Sequence, residues 1–184
     1  TARLSKRHGA MAVTAYRDMG LLPDAVVNYL VRLGWSHGDQ ELFTRQELIE
    51  KFDFKHVQSS SAVFNQEKMV WVNEQYIKQS EPSHVARLLL PFLEQAGLKE
   101  AAKAVSSDWL AKLVVMVRER TKTLVEMVTW VTPYFGQDVA MDEASAKKFL
   151  TPAMAPALAK LVARFEAEPA FHKEQWETTF KQVV

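Results

Sequence analysis

The chain has 184 residues, 48% hydrophobic and 24% charged, with a formal net charge of +1. That is a globular composition, and its bulk charge makes no electrostatic case for nucleic acid, so any RNA surface must come from local arrangement. The chain has no cysteine, which excludes disulfides, thiolate nucleophiles and cysteine zinc sites together, and no apolar run approaches the ~20 residues of a membrane helix.

In chain order, the first stretch that carries chemistry is Arg3-Leu4-Ser5-Lys6-Arg7-His8-Gly9-Ala10. Three cations, a hydroxyl and a glycine suit a mobile loop that closes over a phosphate, with Lys6 as a compact charge bearing three donors. A solvated basic tail is the other reading of the same residues. A helix over Met11–Met19 stops at Gly20. Leu22-Pro23-Asp24 opens the next, whose buried face is Ala25, Val26, Tyr29, Leu30 and Leu33 and which ends at Gly34. Trp35–Asp39 reads as a loop. Thr44-Arg45-Gln46-Glu47 is a capping box, and a short helix to about Phe52 follows.

Ser59-Ser60-Ser61 is a polar break. Val63, Phe64, Met69, Val70, Val72, Tyr76 and Ile77 then spell a helical pair interrupted around Asn73. Glu81-Pro82-Ser83 is the clearest hinge, because proline pushes its predecessor out of the α region; a domain boundary is placed there. Val85–Ala96 carries Pro91, so it is expected to kink or start late, and Gly97 stops it. Ser107 or Asp108 caps a helix with the buried stripe Leu110, Leu113, Val114 and Val117. Thr123-Leu124-Val125-Glu126 is a second capping box, so a break falls near Thr121. The helix it opens buries Leu124, Val128 and Val131 and ends before Pro133. After an acidic loop, Gly136–Asp142, come a short helix near Ala144–Phe149, another opened by Thr151-Pro152 with Leu158, Leu161, Val162 and Phe165, a stop at Pro169, and a last helix holding Trp176, Phe180 and Val183. Trp71, Trp109, Trp130 and Trp176 all read as core, with Trp35 open. Thr1 and Val183-Val184 both read as cut ends.

The octapeptide resembles the second signature of class I aminoacyl-tRNA synthetases in its bacterial glutamyl-tRNA synthetase form. Tyr16–Gly20 with Asn28–Ser36, Ala62–Lys68 with Trp71–Ile77, and Arg118–Leu124 are similar to that family's motifs in the same order. The resemblance implies an all-α chain. Residues 1–12 would be the signature loop at the end of a catalytic domain. Residues 13–81 would be a stem-contact domain, and 82–184 an α-helical, cage-type anticodon-binding domain incomplete at its C-terminus. Arg3 stands where the family usually has lysine.

The resemblance implies that the parent enzyme ligates glutamate to its tRNA with ATP and magnesium through a glutamyl-adenylate. The partners implied are tRNA for glutamate, glutamate and ATP, for a cytoplasmic monomer with no membrane contact. The chain alone, without the first signature and the nucleotide-binding sheet, is expected to bind no cofactor and to lack activation. Lys6 is assigned to the leaving pyrophosphate, where charge builds in the transition state. Arg3, Leu4, Ser5 and Arg7 complete the ATP-side loop, and His8 shapes it. No metal-ligating residues are assigned. For tRNA, the candidates are Lys68, Lys78, Arg118, Arg120 and Lys122, the last three gathered where one helix ends and the next begins. The competing function is a helical protein-interaction module that does not bind RNA, favoured by the near-zero net charge.

Overall fold

A computed structural model describes residues 12–58, 63–136, 141–167 and 172–183. The Arg3–Ala10 octapeptide, the Ser59–Ser61 break, the Pro169 stop and residues 137–140 of the acidic loop lie outside the described residues. The helices are α1 (Val13–Asp18), α2 (Pro23–Arg32), α3 (Arg45–Lys51), α4 (Gln66–Gln79), α5 (Pro82–Gln95), α6 (Lys99–Ala104), α7 (Ser107–Val117), α8 (Leu124–Val131), α9 (Glu143–Phe149), α10 (Ala155–Glu166) and α11 (Lys173–Val183). Among the described residues the fold is all-α, with one isolated antiparallel bridge between Trp35 and Val57. The chain divides into two compact units between Asp138 and Val139.

In the first unit α5 is central, packing against α6, α7 and α8, while α2 packs on α4. Val85, Ala86, Leu89 and Leu93 of α5 share one core with Met69, Val72 and Ile77 of α4 and with Leu110, Leu113, Val114 and Val117 of α7. The chain therefore crosses Glu81-Pro82-Ser83 as a turn within one core, with Ser80 and Glu81 extended and Pro82 in the first turn of α5. A satellite cluster of Trp35, Phe43 and Leu48 sits under the loop after α2; Trp35 is buried there, its ring 5.5 Å from Phe43 and 5.7 Å from Phe52.

Several local expectations are corrected. Helix α5 starts at Pro82 and continues through Pro91. Proline costs a ladder bond, but Pro91 lies on the exposed side while the stripe Val85–Leu93 is held by tertiary packing. Helix α4 is not interrupted at Asn73. Asparagine weakens helices by bonding its own backbone; here its amide is engaged by distant partners instead. Leu30 is 36% exposed, and Asn28 takes the buried position on α2. Ser106, not Ser107 or Asp108, caps α7 by accepting from the Trp109 N–H. Met127 rather than Val128 is fully buried on α8. Helix α6 was not foreseen: it is six residues long and has no side-chain cap.

The Thr44 box is complete. Thr44 Oγ1 accepts the Glu47 N–H, and the Glu47 carboxylate accepts the Thr44 N–H at 2.7 Å. That backbone bond, followed by the Gln40 amide, lowers the Glu47 pKa to about 2. The folded value lies below the ordinary 4.5, so this cap's contribution is complete above pH 4.5 and is lost as pH falls toward 2. A carbon-detected titration of Glu47 should show a midpoint near 2, with the Thr44 amide losing protection over the same window. A midpoint at the ordinary carboxylate value would show that the box is not formed.

In the second unit Asp142 caps α9 by accepting the Ser145 N–H at 2.7 Å. Helices α10 and α11 pack together, with the Phe165 and Trp176 rings stacked 4.1 Å apart. Leu161 and Thr179 are buried, but Leu158 and Val162 are exposed, so the stripe read from α10 is only partly covered by its own unit.

Candidate nucleic-acid interface

The break between α7 and α8 is built residue by residue. Helix α7 runs out at Val117, Arg118–Arg120 form a 3-10 turn, and Thr121 is extended and buried. Thr123 then caps α8 by accepting the Glu126 N–H at 3.1 Å. The return half of the expected box is displaced by one residue: the Glu126 carboxylate accepts the Lys122 N–H at 2.8 Å. Because Thr121 tucks inward, the residues on either side face out. Arg120 and Lys122 are exposed and Arg118 is half-buried.

The five candidate cations differ in their surroundings. Arg118 Nε lies 3.8 Å from Glu119, which is in turn 3.8 Å from Lys78 Nζ. Lys78 also binds Glu74 at 2.7 Å; that hydrogen bond above all raises the Lys78 pKa and keeps it charged. Lys68 is paired with Glu41 and lies 3.9 Å from the centroid of the Trp71 ring. Arg120 and Lys122 have no carboxylate partner among the described residues. The structure thus brings Arg118, Arg120 and Lys122 onto one turn, with Lys78 beside it through Glu119, and places Lys68 apart on the first turn of α4.

Two tryptophans read as core are not core. Trp71 is 37% and Trp130 42% exposed. Trp71 is out of phase with the buried Met69, Val72, Asn73 and Ile77 of its helix. Trp130 carries the Arg120 guanidinium 5.7 Å from its ring centroid, a cation–π geometry. Trp109 is half-buried against Phe135, 5.4 Å between ring centroids.

The sequence reading also missed what fixes the turn. Asn73 Oδ1 accepts the Leu22 N–H at 2.7 Å, and its Nδ2 donates to the Lys122 carbonyl at 2.6 Å. The signal was present: Asn73 stands four residues from both Met69 and Ile77, a polar residue in the phase of a buried stripe. The Gly20 carbonyl accepts the Leu124 N–H at 2.9 Å, so the turn after α1 is seated on the start of α8.

This turn lies inside a match to a known domain. Residues 84–184 match the family described as "Anticodon binding domain", and residues 1–71 match "tRNA synthetases class I (E and Q), catalytic domain". The chain is 46% identical over 182 residues to the glutamate–tRNA ligase of Geobacter sulfurreducens, covering 99% of this chain and 38% of that protein.

The chain belongs to the anticodon-binding domain family, and its homologues are glutamate–tRNA ligases. The ligase of Anaeromyxobacter sp. strain K is 49% identical over 179 residues, covering 97% of this chain and 37% of its own length. A solved glutamate–tRNA ligase from Elizabethkingia meningosepticum, crystallised with its amino acid, superposes with a TM-score of 0.76 at 25% identity, covering 100% of this chain and 39% of that one. The chain therefore spans somewhat over a third of the length of the ligases it matches. The family bears out the helical anticodon-binding architecture, and nothing in these matches supports a protein-interaction module.

Proposed function

We propose that this chain supplies the tRNA-binding surface of a glutamate–tRNA ligase whose whole enzyme joins glutamate to its tRNA using ATP, through a glutamyl-adenylate. The reading is carried by one observation: a turn bonded to the core through Asn73, within the anticodon-binding match, that gathers Arg118, Arg120 and Lys122, with Arg120 over the exposed Trp130 ring. An anticodon loop offers unpaired base edges and ring faces. Arginine meets the former with paired donors and an exposed indole meets the latter. Residues 13–81 serve as the stem-contact part and 82–184 as the anticodon part, a division that falls between the two family matches. Lys68 and Lys78 contact the tRNA backbone more weakly, because a phosphate must first displace Glu41 or Glu74. The signature loop, with Arg3, Leu4, Ser5, Lys6 and Arg7, acts at ATP and its magnesium in the whole, monomeric and cytoplasmic enzyme, and this chain alone does not activate glutamate.

Binding of this chain to cognate and anticodon-swapped tRNA at two salt concentrations tests the reading. Arg118→Ala or Arg120→Ala should weaken cognate binding by about 1–3 kcal/mol, the range of a paired base contact, and the loss should depend on the anticodon, most strongly for Arg118. Lys122→Ala should weaken both tRNAs alike and reduce the salt slope by about one. Wild-type behaviour in both arginine variants would make these side chains helix-end caps and move the RNA site elsewhere.

A further inference from the structure

Lys122 is held at both backbone atoms, its carbonyl from the core side. Its N–H donates to Glu126 at 2.8 Å, and its carbonyl accepts from Asn73 Nδ2 at 2.6 Å. Asn73 is wholly buried and lies 49 residues away in sequence; its Oδ1 reaches a second distant backbone group, the Leu22 N–H. None of these bonds uses a side chain of Arg118, Arg120 or Lys122. The backbone of the cationic turn is thereby fixed while its charges stay available.

We infer that Asn73 is a positioning residue for RNA recognition. Its carboxamide sets the peptide plane at Lys122, and with it the directions in which Arg120 and Lys122 leave the surface. This rests on the RNA reading of the turn given above. A carboxamide is required because the two partners have opposite polarity: one donor and one acceptor on a single flat group. Buried backbone groups left without a partner are costly, so the turn and the Gly20–Leu22 loop are both tied to the presence of this side chain.

Asn73→Asp separates positioning from general stability. While ionised, the carboxylate accepts the Leu22 N–H but cannot donate to the Lys122 carbonyl, and it repels it; because a buried acid that takes up a proton regains a donor, Asn73→Ser is measured beside it. The protein contains a matched control. Asn28, equally buried, donates through Nδ2 to the Glu41 carbonyl at 2.9 Å and accepts the Phe43 N–H at 2.9 Å, with no bond to the turn. Asn28→Asp therefore makes the same chemical change at another buried bridge.

Both variants of this chain would be compared by thermal melting, by amide hydrogen exchange and by binding to cognate and anticodon-swapped tRNA. Both should melt earlier. Asn73→Asp alone should speed exchange at Lys122 and Leu124, weaken cognate binding about tenfold, and bring the cognate-to-swapped ratio toward one, as loss of one buried bond that orients a base contact would. Asn28→Asp should leave that ratio within about twofold of wild type. Unchanged exchange over residues 118–124 in Asn73→Asp overturns the inference whatever the RNA does. Faster exchange with an intact ratio, while Arg118→Ala loses it, also overturns it and leaves the function standing. If the three cation variants bind as wild type, the function of the turn falls and the inference falls with it. Should Asn73→Asp not fold, Asn73→Ser, too short to reach both partners, gives the same three readouts.

Discussion

Gly20→Ala should lower stability by about 3 kcal/mol and the melting temperature by about 10 °C, more than alanine at Gly34 or Gly97. Two effects combine. Gly20 has φ of +77°, a left-handed conformation that costs an L-residue about 1–2 kcal/mol. An added Cβ would also stand 2.6 Å from the Val125 nitrogen and 2.9 Å from that of Leu124. Both are backbone atoms at the start of α8, with no side chain that could swing aside. Relief requires the turn and the helix to part, which breaks the Leu124–Gly20 hydrogen bond. Gly97 and Gly34 are internal references. Gly97 has φ of +79° with open space around its Cβ, so Gly97→Ala measures strain alone; Gly34 has neither restriction. Thermal melts of the three variants should rank Gly20 far below Gly97, and Gly97 below Gly34. Equal melting of the Gly20 and Gly97 variants would show that the contact with α8 adds nothing.

Lys6→Ala in the whole ligase should slow glutamyl-adenylate formation by about 30- to 1,000-fold, or ~2–4 kcal/mol of transition-state stabilisation, with little change in glutamate affinity. As the α-phosphate is attacked, negative charge moves onto the departing pyrophosphate. A cation placed there interacts more strongly with the transition state than with bound ATP. Lys6 is the central cation of a signature-type loop within the stretch that matches the class I catalytic domain. Its flanking cations, Arg3 and Arg7, should matter less when replaced singly, on the proposal that they shape the closed loop or meet phosphate peripherally. Rapid-quench measurement of adenylate formation at saturating ATP decides the matter. An unchanged rate with a raised glutamate constant would assign Lys6 to ground-state binding.

What could be read in advance was what is local. Thr44 and Glu47 are three residues apart, so their mutual capping is written within one turn of chain. The α7 stripe of Leu110, Leu113, Val114 and Val117 was legible because a 3.6-residue period and burial coincide there. Asn73 was misread because its helix-breaking tendency is local, whereas the partners that use its amide lie 51 and 49 residues away. Trp71 and Trp130 failed for a related reason: large apolar area suggests burial, and only the phase against neighbouring buried residues reveals the outer side. The gathering of Arg118, Arg120 and Lys122 was visible as spacing. The pairings of Lys68 with Glu41 and of Lys78 with Glu119 were not, since those carboxylates arrive from other parts of the chain, whereas Glu74 stands one turn before Lys78 on α4.

The contact between α10 and α11 has a consequence for how the molecule comes apart. Beyond the stacked Phe165 and Trp176 rings, the buried side chains among the described residues of that unit are Leu161 and Thr179. Cooperativity scales with the number of mutually dependent buried contacts, so this pair should open at a lower free energy than the α5–α8 core. In a thermal melt, loss of this pair should precede loss of the α5–α8 core, and Trp176, leaving the Phe165 ring it stacks on, should change its optical surroundings at that first step.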